Sequence, residues 1–193
     1  MRWQNTRPRV RSRSASAAFV DPARPIRVDK APEGKNWAHE IKHDGYRIQI
    51  HLGASGVRLF TMSGYDWTER YPLIVEAASK IKGSAIIDAE AVIADENGLT
   101  NFEAIHGRNR DGEMQAFAFD LMMRNGEDVR DMPWLDRRQL LKQLLGRRKS
   151  LVYNREIVGR GPEVYRAACG MGLEGIVSKQ GPRHIDRAAP RVG

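Results

Sequence analysis

The chain has 193 residues, of which 41% are apolar and 29% charged, enough for one globular domain with a buried core. No apolar run approaches the ~20 residues that a membrane-spanning helix needs, and a single cysteine, Cys169, excludes an internal disulfide and suits a reducing cytoplasm. The formal charge of +8 is uneven: residues 1–30 hold eight Arg or Lys against Asp21 and Asp29, and residues 179–193 hold four against Asp186, so the intervening body is close to neutral.

Residues 1–18 are rich in Arg and Ser, carry no acidic side chain, and read as a disordered basic arm. The same composition suits an organellar transit peptide, against which Pro8 argues by opposing a long amphipathic helix. From Phe19 to Pro32 the prolines predict extended chain wrapping a domain that runs over 19–180. The basic residues of the arm and of the tail 181–193 could bind a phosphate backbone, in a salt-sensitive manner, or merely keep the chain soluble.

Trp37 to Ile41 alternates apolar and polar residues, and beyond it Tyr46, Ile48, Ile50 and Leu52 share one face. That period of two predicts two half-buried strands. Asp44-Gly45 between them predicts a tight hairpin with Gly at positive φ, so Lys42, Asp44 and Arg47 should crowd one end, with Glu40 on the face of Lys42. Val57–Thr61 predicts a third strand, and Pro72 opens a helix whose apolar face is Leu73, Ile74, Ala77, Ala78 and Ile81.

Ala85–Ile93 is an apolar strand interrupted by Asp88 and Glu90, which point to the same face. A turn at Asp95–Gly98 and a short helix from Thr100 or Asn101 through His106 follow. Ala116–Met123 is a strand, Asn125-Gly126 a turn, and Pro133–Leu145 a helix with its leucines inward and its Arg and Gln outward. Leu151–Tyr153, a helix over 162–168 and a last strand over 173–179 complete an α+β domain with helices against antiparallel sheets.

Three readings of Lys42 are open from its residues alone: a solvated surface charge, a point charge holding a phosphate, or a nucleophile whose amine is freed by neighbouring cations. Glu90 reads as edge-strand polarity or as a ligand, because a buried carboxylate must be paired, hydrogen-bonded or bound to metal. Phe117 and Phe119 both read as core aromatics, Phe117 more so.

A resemblance narrows these alternatives. Lys42-x-Asp44-Gly45-x-Arg47, inside Glu40–Arg47, resembles the nucleotidyl-transfer motif of ATP-dependent DNA ligases, and the longer string resembles the ligase domain of bacterial ligase D. Asp88-Ala89-Glu90 resembles a ligase motif with Gly at the middle position. Phe117-Ala118-Phe119-Asp120 and Glu174-Gly175-Ile176-Val177-Ser178-Lys179 resemble two further motifs, in the family's order.

The resemblance covers about Phe19 to Lys179 and implies the nucleotidyltransferase fold shared by DNA ligases and mRNA capping enzymes. It implies ATP and Mg²⁺ as cofactors, Lys42 as the covalent nucleophile, and Glu40 and Phe119 at adenine. It further implies Arg47 and Glu90 at the ribose or a nearby phosphate, and Glu90 and Glu174 at the metal. Nicked or broken double-stranded DNA is the implied substrate, in a bacterial cytoplasm, with a Ku-like end-binding protein as a partner. Three departures accompany it: Met62 stands where ligases usually carry an arginine, nothing after Lys179 matches the family's Trp-x-Lys-x-Lys motif, and the oligonucleotide-binding barrel that follows in the family is not represented, which makes a chain supplying that barrel the alternative partner. They leave open a non-catalytic remnant that binds nucleotide or DNA, and RNA ligation or capping as a third reading.

Overall fold

The computed structural model describes residues 20, 22–94, 100, 105 and 110–181. The arm over 1–18, the turn at 95–98, the tail beyond Gly181 and all but Thr100 and Ile105 of the short helix ending at His106 lie outside the described residues.

Among the described residues, nine strands and three α-helices follow one another as β1 (Trp37–Lys42), β2 (Tyr46–Gly53), β3 (Gly56–Thr61), α1 (Pro72–Ser79), β4 (Ala85–Val92), β5 (Gln115–Arg124), β6 (Glu127–Asp128), α2 (Trp134–Leu145), β7 (Leu151–Tyr153), β8 (Glu156–Val158), α3 (Gly161–Gly170) and β9 (Gly175–Gln180). They form a larger sheet in the order β3-β2-β4-β5-β6, with β7 added parallel to β5, and a smaller one in the order β8-β1-β9. All other pairings are antiparallel. The α+β expectation holds, and strands β1 to β5 fall where the sequence predicts them, β1 and β2 on a period of two.

Apolar side chains of the larger sheet, among them Ile48, Ile50, Leu59, Ile87 and Leu121, pack with Ile74 of α1 and Leu141 and Leu145 of α2 in one cluster. The turn at Asn125-Gly126 has both residues at positive φ (49° and 82°), the geometry that matches the twist of a two-residue hairpin. The entry segment touches the domain at Val20, whose backbone N–H donates to Gln49 Oε1 at 3.1 Å on β2.

Three expectations are corrected. Asp44-Gly45 is not a hairpin: β1 pairs with β8 and β9 while β2 pairs with β3 and β4, so the link between them passes from one sheet to the other. Gly45 is needed there for space, since a Cβ would lie 2.3 Å from Ala91 O and 2.7 Å from a Val92 methyl, and its φ is not positive. The face of α2 is also different: Leu135 is 45% exposed, whereas Arg137 and Arg138 are each 1% exposed. Both guanidiniums are buried because carboxylates await them, Asp120 for Arg137 and Glu40 with Glu156 for Arg138. The short strand β8, which no alternation signalled, pairs with β1 through Ala38, His39 and Glu40.

Two measurements test this packing. Gly45→Ala lowers unfolding free energy by about 1–3 kcal/mol in urea titration, the usual cost of forcing a methyl into a filled space. Gly53→Ala, whose Cβ would meet nothing within 4 Å, stays within about 0.5 kcal/mol of the parent. His51 is buried, mainly for that reason its imidazole is pushed down from 6.5 to about 4, and the nearby Arg58 adds to the effect. The unfolded chain therefore binds the proton first, so this group's stability is fully present above pH 6.5 and is lost as pH falls towards about 4. Replacing His51 by Gln removes roughly 3 kcal/mol of pH dependence across that window, read from denaturation midpoints.

Candidate functional site

The passage from β1 to β2 carries Lys42 and Arg47 across the junction of the two sheets. On the small-sheet side, Lys42 is opposite Gly175 in the register of β1 with β9, which brings Glu174 beside it. Lys42 Nζ and Glu174 Oε1 form an ion pair with both side chains partly exposed. On the large-sheet side, Arg47 is opposite Glu90, and Glu90 is opposite Phe117. Four separate stretches of sequence therefore meet at one place: 42–47, 88–90, 117–120 and 174–179.

β4 lies between β2 and β5, so Glu90 is on a central strand and not on an edge. Burial pushes its carboxyl up to about 8, against the pull of Arg47 and Lys42, with Asp88 and Glu174 adding to the rise. Asp88, the other acid of the strand, is buried and grips Arg47 through two bonds, Nε to Oδ1 at 3.1 Å and Nη2 to Oδ2 at 2.6 Å. A bidentate pair fixes the plane of a guanidinium as well as its position. Arg47 so held has its Cζ 5.3 Å from the centroid of the Phe119 ring.

Phe119 is half-buried and lies under a second cation, Lys179, whose Nζ is 4.8 Å from the ring centroid. The same ammonium donates to Glu40 Oε2 at 2.6 Å. Glu40 is buried, whereas Lys42, two residues on, sits at the rim. Phe117 is not a core residue: it is half-buried and stacks on His43, with ring centroids 4.1 Å apart. His43 Nε2 pairs with Asn154 Oδ1 at 3.1 Å, and the Asn154 amide donates to Ile41 O at 3.2 Å, which fixes the loop after Lys42. Burial lowers the His43 imidazole, so it packs as a neutral ring.

Of the residues singled out in the sequence, Lys42, Arg47, Glu90 and Glu174 interact directly or through their charges, Phe119 lies under Arg47, and Glu40 joins them through Lys179. Sequence reasoning assigned nothing to Asp88 beyond its face, nothing to Lys179 beyond its motif, and put Arg138 on the outside. The signal for Arg138 was available: Trp134, Arg137, Arg138, Leu141 and Leu145 recur at helical spacing and are the buried residues of α2.

Among the described residues no group of three or more His, Cys, Asp or Glu could hold a metal ion by itself. Glu90 and Glu174, with Lys42 charge-coupled to both, suit a hard cation that takes one or two carboxylates and completes its shell with water and phosphate oxygens. An arginine clamp, an aromatic platform under cations and a lysine facing a carboxylate are groups of the kind that can hold a phosphate and a flat ring.

The family model of the ATP dependent DNA ligase domain matches residues 22–187. The multifunctional non-homologous end joining protein LigD of Pseudomonas aeruginosa is 34% identical over 159 residues, which span 79% of this chain and 19% of that protein. LigD of Mycobacterium bovis is 32% identical over 149 residues, spanning 77% of this chain and 20% of the other. Among solved structures, the ligase domain of M. tuberculosis LigD superposes with a TM-score of 0.77 at 28% identity, covering 88% of this chain and 56% of that one. A mycobacterial DNA ligase D complexed with ATP and MES gives 0.76 at the same identity and coverage. The chain thus spans about a fifth of the length of these LigD proteins and just over half of the solved ligase domains. With the matched region containing the whole site, the chain belongs to the ATP-dependent DNA ligase domain family.

Proposed function

We propose that this domain carries the nucleotidyl-transfer step of DNA strand joining, forming a lysine–AMP intermediate on Lys42. The observation that carries the reading is the convergence of Lys42, Arg47, Glu90 and Glu174 from three distant stretches in a chain of this family. In the proposed step, Lys42 Nζ gives up its ammonium proton to water and, as the free amine, forms a bond to the α-phosphorus of ATP while the bond to the bridging oxygen breaks, pyrophosphate leaves with the electron pair, and the second nitrogen proton is lost to solvent. AMP then passes to a DNA 5′-phosphate, and a 3′-hydroxyl displaces it to seal the strand. Phosphoryl chemistry of this kind depends on positioning and charge neutralisation more than on bond-making groups of the protein.

Each residue has a part in that scheme. Phe119 stacks the adenine and Glu40 accepts from its amine. Arg47, kept in plane by Asp88, contacts the ribose or a nearby phosphate. Glu90 is the half-buried acceptor for a ribose hydroxyl or a cation. Glu174 holds the Lys42 ammonium until the nucleotide arrives. Mg²⁺, held by Glu90 and Glu174 with phosphate oxygens, would neutralise charge on the phosphates.

Residues 19–180 form the nucleotidyltransferase domain in this reading, and the basic arm (1–18) and tail (181–193) contact DNA. Strand joining would involve broken or nicked duplex DNA, an oligonucleotide-binding domain from a further chain or segment, a Ku-like end-binding partner, and a bacterial cytoplasm. No helix among the described residues is long and apolar enough to cross a membrane. Met62, half-buried where the family's arginine would stand, favours a second reading as a nucleotide-binding remnant, because a thioether cannot replace a guanidinium fork.

Incubation with α-³²P-ATP and Mg²⁺, followed by denaturing electrophoresis, separates these readings. Nucleotidyl transfer predicts a labelled band that Lys42→Ala abolishes, a loss of at least ~10³-fold as expected for removing a covalent nucleophile. Label persisting in Lys42→Ala would sink the assignment of the nucleophile. ATP binding by calorimetry without label identifies the remnant, and labelling by GTP in place of ATP identifies a capping-type activity.

A further inference from the structure

Arg138 lies outside the short motifs that carried the family resemblance, and several partners hold it beside the site. Nη1 is 3.0 Å from Glu40 Oε1, and Nη2 is 2.7 Å from Glu156 Oε2. Nη2 also donates to Asn154 O and Nη1 to Ala118 O at 3.5 Å. Its Cζ lies 4.1 Å from the Tyr153 ring centroid, and the Tyr153 hydroxyl donates to Glu156 at 2.6 Å. A guanidinium held along its edges and on one face cannot follow a moving partner, so Arg138 dictates where Glu40 stands.

Glu40 is 2% exposed, and its two oxygens differ. Oε2 receives Lys179 at 2.6 Å. Oε1 is within ion-pair distance of Arg138, yet the angle is unsuited and the oxygen is buried without a hydrogen bond. The Glu40 carboxylate thus has one oxygen, Oε1, set against Arg138, and the other, Oε2, one ammonium away from the Phe119 ring. Adenine presents an amine, a donor, where hypoxanthine and guanine present a carbonyl, an acceptor. A carboxylate accepts from the first and repels the second, whereas a protonated carboxyl donates to the second.

We propose that Arg138 is a positioning residue for base selection: through Glu40 it presents a hydrogen-bond acceptor to the purine and favours a 6-amino over a 6-oxo ring. The proposal rests on the nucleotide-binding reading above. Burial drives the Glu40 carboxyl up, Asp120 adds to the rise, and Lys179 and Arg138 pull it down. Removing Arg138 takes away one of the two opposing cations and the fixed geometry together.

The test is calorimetric titration of the full chain with ATP and with ITP in Mg²⁺, with a thermal melt to verify folding. The parent binds ATP ~10- to 100-fold more tightly than ITP, the discrimination expected when a mismatched polar group faces a buried acceptor. Arg138→Met brings the ratio to within about threefold of unity, and Arg138→Lys, which restores the charge but not the planar fork, recovers only part of it. A merely structural role would weaken both nucleotides equally, so an unchanged ratio in folded Arg138→Met overturns the proposal. If that variant does not fold, Glu40→Gln replaces it: its amide both donates and accepts, and an unchanged ratio overturns the proposal as well, since Arg138 reaches the base only through Glu40. A parent that binds ATP and ITP alike overturns base selection and leaves nucleotide binding standing. A parent that binds neither overturns both.

Discussion

A guanidinium buried between two sheets holds this domain in register with its own site. Arg138 reaches from α2 to Glu40 on β1 and Glu156 on β8 in the small sheet, and to the backbone of β5 in the large one. Burying a charge is costly unless carboxylates and carbonyls surround it, and here they come from both sheets at once. The angle between the sheets is thereby tied to a set of hydrogen bonds rather than to apolar contact, which slides more easily. Lys42 stands at the end of β1 and Arg47 at the start of β2, so whatever fixes one sheet against the other fixes these two side chains.

The same economy appears beside it. Arg137, the neighbour of Arg138, is held by Asp120 at 2.9 and 3.0 Å, and Asp120 stands opposite Asp88 in the sheet. Asp88 in turn grips Arg47. Buried acids on adjacent strands would repel if each did not have its own arginine. The result is a row of paired charges under the site, with Lys42, Glu174 and the rings of Phe117 and Phe119 nearer its surface. A polar foundation of this kind keeps donors and acceptors aimed before a ligand arrives, which is how charge stabilisation costs little reorganisation when it is needed.

Rigidity is not uniform around the site. The nucleophile candidate is tethered by one partly exposed ion pair, while the clamp arginine has a bidentate, buried partner. Partly exposed pairs contribute little and exchange readily, whereas removing one member of a buried pair is strongly destabilising. Lys42 is thus the side chain of the group with most freedom to leave its partner, a property a covalent nucleophile needs and a structural lysine does not.

Local pattern determined much of this protein. Alternation along 37–41 and 46–52 marked β1 and β2, the apolar run over 85–93 marked β4, Pro72 marked the start of α1, and Asn125-Gly126 marked its hairpin, because each depends on neighbours within a few residues. The residues Lys42, Arg47, Glu90, Phe119 and Glu174 were legible from short motifs in a fixed order. What pairs with what was not legible. Alternation says which side chains share a face, not which strand lies alongside, so Asp44-Gly45 read as a hairpin when it is a crossing between sheets. An arginine reads as surface by default, and only carboxylates brought from 17, 18 and 98 residues away along the chain put Arg137 and Arg138 inside. Phe117 and Asp88 gained their surroundings the same way, from His43 and Arg47 on another segment. Sequence determined the elements and the chemical inventory of the site; tertiary structure decided its partners, because desolvated charge is tolerated only where distant parts of the chain meet to neutralise it.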